Sequence, residues 1–407
     1  MSRVRSESVG ILGGGMQGCC MALLFKKLGF KVTIIDQAQS LISRASSNQE
    51  GKIHMGFIYA NDNSCKTGFK LLNDCLHFTF CLEDLIDSTV QWETLKSKKF
   101  IYLVPHDSIC SVDHLKHYFS KLQEKYESIL NSEPHLSYLG QTPEIISYSI
   151  PVPNYIDTSN FQYCFQTEEV SVSQAILREI MLNKLAKKEI NVILNTKVIG
   201  IRKQAAYHYQ VTTSNGDQSF DFLVNCLWEN QHILDGHLGM NQKPGTNLRL
   251  KFGITSSYIH ECADIPSISM VTGLYGDFVN FPNADDPKMY FSWYPVSRHG
   301  MVVDQAIPQE WDQICKGICA NQLYQYQIDN QLTAYQKLFS KDFNFIEPKL
   351  IPGIIVARGS KDIDDQQSEL HQRSENPVFY SEGYFSISTG KFTSIPHNTY
   401  LASLMIT

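Results

Sequence analysis

Gly13-Gly14-Gly15-Met16-Gln17-Gly18 sets glycines at the first, third and sixth places of a hexapeptide, and Asp36 follows eighteen residues after the last. These residue types at this spacing suit a dinucleotide. Gly13 permits a tight turn, Gly15 admits a pyrophosphate against bare backbone, and Gly18 lets a helix close on a strand. Asp36 can accept from both hydroxyls of a ribose. An acid there disfavours a 2′-phosphate and so argues against NADP. On these residues alone NAD and FAD both stay open.

The elements that must position this motif are legible around it. Residues 8–12 form a short apolar run suited to a buried parallel strand. Residues 16–28 carry Met16, Cys19, Cys20, Leu23, Leu24 and Leu28 at helical spacing, with Lys26 and Lys27 in the last turn. Residues 31–36 make a second β-branched strand. A helix N-terminus at the glycine turn offers free N–H groups to phosphates. Further along, a helix is expected over 170–188 and strands over 190–194 and 196–202. Segments 207–213 and 219–226 flank Asn215-Gly216, a hairpin signal. Strands are expected at 353–359 and 384–388, with a closing helix over 394–405. Between these parts, 98–104, 249–255, 267–272 and 289–294 read as strands, and 114–130 and 320–338 as helices.

The chain has 407 residues, 43% hydrophobic and 19% charged, with a formal net charge of −6. That is ample for two domains with a sizeable core, and it lacks the basic footprint of a nucleic-acid binder. Eleven scattered cysteines do not read as a disulfide framework; free thiols in a reducing cytoplasm are the simplest account. The uncharged run 8–25 resembles a sorting signal, but its five glycines would break a spanning helix. No export signal and no integral membrane segment are expected.

The segment Arg44-Ala45-Ser46-Ser47-Asn48-Gln49-Glu50-Gly51-Lys52-Ile53-His54-Met55-Gly56 resembles the stretch after the first βαβ unit in flavoproteins of the D-amino-acid oxidase superfamily. Asn48–Gly56 particularly resembles the N-S-G-x-I-H-x-G stretch of the 2-hydroxyglutarate oxidases in that superfamily. The resemblance implies FAD, with Gln17, Arg44, Ser46, Ser47 and Asn48 joining the glycines and Asp36 as cofactor contacts. It places Val198 against the adenine, Asn225 and Cys226 near the cofactor at a strand end, and Gly390 and Lys391 in a glycine turn beside the flavin. This chain departs from many relatives there, with Gly-Lys-Phe-Thr and Pro396 in place of a longer glycine pattern. The implied fold is α/β: a Rossmann-like FAD-binding domain of the glutathione-reductase type with an inserted α+β substrate domain on a mainly antiparallel sheet. Residues 1–60, 165–235 and 345–407 would form the first, and 61–164 and 236–344 the second.

Within that resemblance Arg358 is the carboxylate-binding candidate, set against an ion pair with Asp362 or Asp364. His54 is the candidate proton acceptor or, alternatively, a structural histidine or a flavin attachment point. Lys391 and Lys52 could polarise the flavin edge or simply be solvated. His371 and Arg373 could cap the pocket, and Tyr290, Trp293 and Tyr294 could line it. Cys315 and Cys319 lack redox or zinc spacing, and no metal is expected. The expected activity is hydride removal from the C–N carbon of a small amine or amino acid. The alternatives are oxidation of a 2-hydroxy acid, an NAD-binding dehydrogenase and a non-catalytic flavin-binding protein. The partner is a small molecule carrying a carboxylate or an amine.

Overall fold

The computed structural model describes residues 6–240, 245–257, 262–273, 275–282, 287–340, 345–361, 369 and 376–406. Asp362, Asp364, His371 and Arg373 lie outside the described residues. Among the described residues, one sheet runs Val378–Ser381, Tyr384–Ile387, Phe222–Asn225, Ser8–Leu12, Lys31–Ile35, Asn191–Ile193. All its neighbours are parallel except the hairpin of the first two. Parallel strands need helical crossovers and are covered on both faces. Accordingly Val9, Ile11 and Leu12 are wholly buried, and helix Met16–Lys27 buries every residue from Met16 to Phe25, leaving its two lysines at the rim.

The second large sheet is mainly antiparallel and supplies the wall that faces the glycine turn. Ile346–Arg358 pairs along its length with Thr246–Ser257, whose other edge meets Arg298–Val303 and then Lys288–Trp293. The order continues through Gly276–Phe281, Ser267–Met270, Phe100–Pro105, Phe161–Thr167 and Ser147–Ile150. The pair Ser267–Met270 and Phe100–Pro105 is parallel. A three-stranded meander, Val198–Ala205, His208–Thr213 and Gly216–Phe220, forms at the expected hairpin. A two-stranded ribbon joins Lys52–Ile53 to Val170–Ser171.

Two expectations shift. Ile346–Arg358 was grouped with the cofactor segments, but it belongs to the antiparallel sheet because its backbone partners are those of Thr246–Ser257. The expected helix over 170–188 begins later, at Gln174, because Val170–Ser171 extends to pair with Lys52–Ile53.

The closing helix Ile395–Ser403 is fastened to helix Lys66–Ile86 by a buried polar knot. Asp74 accepts from His397 Nδ1 at 2.8 Å, Ser394 Oγ at 2.5 Å and Lys70 Nζ at 2.5 Å, and His77 stacks on His397 with centroids 4.3 Å apart. Burial works to raise the Asp74 pKa, but His397 and Lys70 outweigh it and hold the carboxyl below its usual range. Removing one partner of a buried pair strands the other, so Asp74→Asn is expected to cost about 3 kcal/mol, read from the urea midpoint. The folded pKa is depressed, so this contribution is complete above about pH 4 and disappears as pH falls through the lower folded value. Unfolding of the unaltered and Asp74→Asn proteins across acid pH should therefore converge.

Candidate active site

The glycine turn is built by close approach. Gly13 has φ +96°, and a Cβ there would stand 2.6 Å from the Cys226 carbonyl oxygen; one on Gly18 would stand 1.8 Å from the Gly13 carbonyl oxygen. Gly15 is the extended N-cap of helix Met16–Lys27, and a Cβ there would meet only Ser46 Oγ, at 3.1 Å. Ser46 Oγ accepts from Met16 N–H at 3.0 Å. Asp36 accepts from Gly14 N–H at 2.5 Å and Ala38 N–H at 2.7 Å, which turns its carboxylate along the cavity wall. Gln17 donates to Thr399 Oγ1 at 3.0 Å, and its buried Oε1 has no partner among the described residues. A bare backbone cradle at a helix N-terminus, an acid beside it and an orphaned buried acceptor fit a dinucleotide.

From this cradle a cavity of about 350 Å³ runs to the antiparallel sheet. Gly13, Gly15, Gln17, Asp36, Arg44, Ser46, Asn48, His54, Val198, Cys226, Gly390 and Lys391 all line it. Four expected site residues do not. Gly18 packs behind the turn. Ser47 donates to the Ile42 carbonyl. The Asn225 amide is occupied by Gln231 O, Asp235 Oδ1 and Tyr384 Oη at 3.0, 2.9 and 3.1 Å. Arg358 ends its strand, exposed, opposite Thr246 and beyond the cavity. Arg44 reaches the wall but is held between Glu229 at 2.9 Å and Asp312 at 2.8 Å. Asn48 donates to the Pro352 carbonyl at 2.8 Å.

The far end holds the groups that could act on a substrate. His54 is buried, its N–H donates to Thr393 Oγ1 at 2.8 Å, and its ring meets Tyr59 edge-on at 5.7 Å. Lys391 Nζ lies 5.9 Å from the Tyr59 ring centre, in the turn where Gly390 has φ +71°. Lys52 is not solvated: Nζ reaches Asp277 at 2.7 Å and Ser269 Oγ at 3.2 Å and lies 4.0 Å over the Phe100 ring. Burial works to raise Asp277, and Lys52 and then Lys251 outweigh it. Glu169 goes the other way: burial dominates and pushes it up despite Lys52. Of the aromatic trio, Tyr290 and Tyr294 line the cavity, whereas Trp293 packs on Tyr335 and Tyr275.

Arg249 and Lys251 were not singled out from the sequence. In Asn247-Leu248-Arg249-Leu250-Lys251-Phe252-Gly253 the apolar residues enter a core cluster while Arg249, Lys251 and Gly253 line the cavity. The period-two alternation was the available signal, but such a charged face ordinarily meets water. Arg249 is buried and donates through Nη1 to Tyr294 Oη at 2.5 Å. For Lys251, burial first, then Lys391 and Arg249, draw the pKa below its ordinary value, against the opposing pull of Glu50 and Asp277. Among the described residues no group of three or more His, Cys, Asp or Glu could hold a metal, and no helix is long and apolar enough to cross a membrane.

The sequence model of the family described as FAD dependent oxidoreductase matches residues 8–244. Over 63 residues the chain is 40% identical to the FAD-dependent monooxygenase FPY4 of Fusarium mangiferae, a stretch covering 16% of this chain and 17% of that protein. The fold resembles glycine oxidase from Geobacillus kaustophilus, with a TM-score of 0.63 at 12% identity, covering 98% of this chain and 94% of that one. It also resembles L-alpha-glycerophosphate oxidase from Mycoplasma pneumoniae, with a TM-score of 0.62 at 12% identity, covering 99% and 96%. L-amino acid deaminase from Proteus vulgaris matches with a TM-score of 0.62 at 12% identity, covering 99% and 94%. At these identities the likeness is one of fold.

Proposed function

Because the chain belongs to the FAD dependent oxidoreductase family, we propose that it removes a hydride from the carbon beside the carboxylate of a small acid, a 2-hydroxy acid in the first place. FAD supplies the two-electron acceptor. The residues that would hold it are those of the glycine cradle, Asp36, Ser46 and the wall from Val198 to the 389–391 turn. The carrying observation is the buried Arg249 on the cavity wall. A guanidinium can take a carboxylate through two parallel hydrogen bonds, and Tyr294 keeps it oriented. In this reading Arg249 has the carboxylate-binding role that the resemblance implied for Arg358. His54, fixed through its backbone by Thr393, is the proposed acceptor of the hydroxyl proton.

The charge of the wall favours hydroxyl over amine. An ammonium would enter beside Lys251, Lys391 and Arg249, where like charges repel. The amino-acid reading keeps support from the fold neighbours named glycine oxidase and L-amino acid deaminase, and from Glu50, a wall carboxylate that would face an ammonium. Eleven unbridged thiols, nine of them buried, suit a reducing cytoplasm.

The test is anaerobic mixing of the FAD-loaded protein with paired 2-hydroxy acids, amino acids and their methyl esters. Bleaching by the hydroxy acids and not by the esters is expected. Bleaching by amino acids alone would select the second reading, and none with any acid would leave a flavin carrier. The cradle has its own test. Asp36→Ala removes a charged acceptor from the ribose, so the apoprotein's affinity for FAD should fall by about tenfold or more, read by flavin fluorescence titration.

A further inference from the structure

We propose that Arg44, Asn48 and Trp228 form a clasp that shuts the antiparallel sheet against the glycine cradle and governs how fast FAD enters and leaves. This goes beyond the reaction proposed above and holds whichever acid is oxidised. In it Arg44 and Asn48 are fastenings and not phosphate contacts.

Strand Ile346–Arg358 pairs on one side with Thr246–Ser257, and among the described residues no strand pairs with its other edge. Such an edge leaves backbone carbonyls in need of donors. Two loops that abut the glycine turn supply them. Asn48 Nδ2 donates to the Pro352 carbonyl and Trp228 Nε1 to the Ile354 carbonyl, each at 2.8 Å. Pro352 and Ile354 are alternate residues, so both carbonyls lie on one edge of the strand. Each loop is itself tied to the cradle. Ser46 Oγ accepts from Met16 N–H at 3.0 Å, and Cys226 N–H, two residues before Trp228, donates to the Leu12 carbonyl at 2.8 Å.

Arg44 adds the charged fastening. Its Nη2 donates to Glu229, next to Trp228, at 2.9 Å, and its Nη1 donates to Asp312 at 2.8 Å. Asp312 lies on helix Gln309–Cys315, whose Trp311 and Ile314 share a buried cluster with Leu250 and Ile354 of the sheet. Asp312 therefore moves with the sheet, and Arg44 with the cradle. An arginine already answered by two carboxylates has little charge left for a pyrophosphate, which would also meet those acids. Arg44, Asn48, Trp228 and Ile354 line the cavity that starts at Gly13 and Gly15, so the fastenings border the space proposed for the cofactor. All three join protein to protein. Breaking one raises the open population of the loaded and the empty protein alike, so entry and exit quicken together while affinity changes little.

The test is the kinetics of FAD exchange, read by flavin fluorescence as loaded protein is diluted and as apoprotein is mixed with FAD. Asp312→Ala should quicken release and uptake each by about tenfold, with Kd unchanged within about threefold. Trp228→Phe keeps a ring but loses the donor, and should quicken both by about threefold. It carries the test if Asp312→Ala fails to fold. Slower release from Asp312→Ala would mean that the freed Arg44 grips phosphate, and would overturn the proposal. Faster release without faster uptake would mark a lost cofactor contact, and unchanged rates with a lower melting temperature would mark plain structural ties; either overturns it.

Discussion

Arg249→Met is expected to lower kcat/KM for a 2-hydroxy acid by about a thousandfold, with the protein still yellow and folded. The size follows from removing the charged partner of a desolvated carboxylate, which costs far more than a rim contact. Arg249 is 5% exposed and donates to the neutral Tyr294 hydroxyl, whereas a substrate carboxylate held as proposed would lose its charged anchor. Lysine cannot reproduce the planar fork, so Arg249→Lys should recover only part of the loss, chiefly in KM. Arg358→Met provides the contrast. That side chain is exposed at a strand end off the cavity, and its replacement should change kcat/KM by about twofold at most. A large loss at Arg358 with none at Arg249 would reverse the assignment.

The second large effect is at the glycine turn. Gly15→Val should give a folded, colourless protein whose affinity for FAD is reduced by about a hundredfold or more. Gly15 has φ −69° and ψ 180°, a conformation open to any residue, and an added Cβ meets only the far end of Ser46. The branched side chain therefore costs the fold little while filling the space a pyrophosphate needs. Gly18→Val should behave differently, because its Cβ would collide with the Gly13 carbonyl oxygen at 1.8 Å, which is backbone and cannot move aside. Soluble yield and the unfolding midpoint should collapse there along with colour. Absorbance and melting of the two variants side by side separate a cofactor cradle from a merely tight turn.

The contrast between these two sites explains what the sequence could disclose. The glycine motif is local: turn, helix start and second strand lie within thirty-odd residues, and Gly18 closes on the carbonyl of Gly13 in the same turn. The βαβ start and Asp36 were readable for that reason. The closing strand, turn and helix over Tyr384–Ser403 were also legible, although the residue contacts of the Gly390 turn depended on a resemblance. Arg249 and Lys251 are the opposite case. Their alternation with Leu248, Leu250 and Phe252 reads as an ordinary half-buried strand, and only long-range pairing with Ile346–Arg358 turns the polar face onto a cavity.

Arg358 and Asn225 show the converse failure. A strand containing Arg358 was correctly expected, but which part of it meets the cavity depends on register with Thr246–Ser257, and Gly353 to Val356 take that place. Asn225 was expected at the cofactor because its strand ends there. Its neighbour Cys226 does line the cavity, yet the Asn225 amide turns inward to Asp235 and Tyr384. Lys52 was weighed between solvent and flavin, and its pairing with Asp277 needed the antiparallel sheet to be in place. Side-chain direction at an element's end is a tertiary property that a local stretch of sequence does not set.

The most direct measurement is anaerobic single-turnover reduction of the FAD-loaded protein by a 2-hydroxy acid deuterated at C2 and, separately, at C3. The account predicts that C2 deuterium slows the loss of visible flavin absorbance, that C3 deuterium does not, and that one 2-oxo acid forms per flavin reduced. Bleaching that is insensitive to C2 deuterium, or no bleaching with any 2-hydroxy or amino acid, would contradict it.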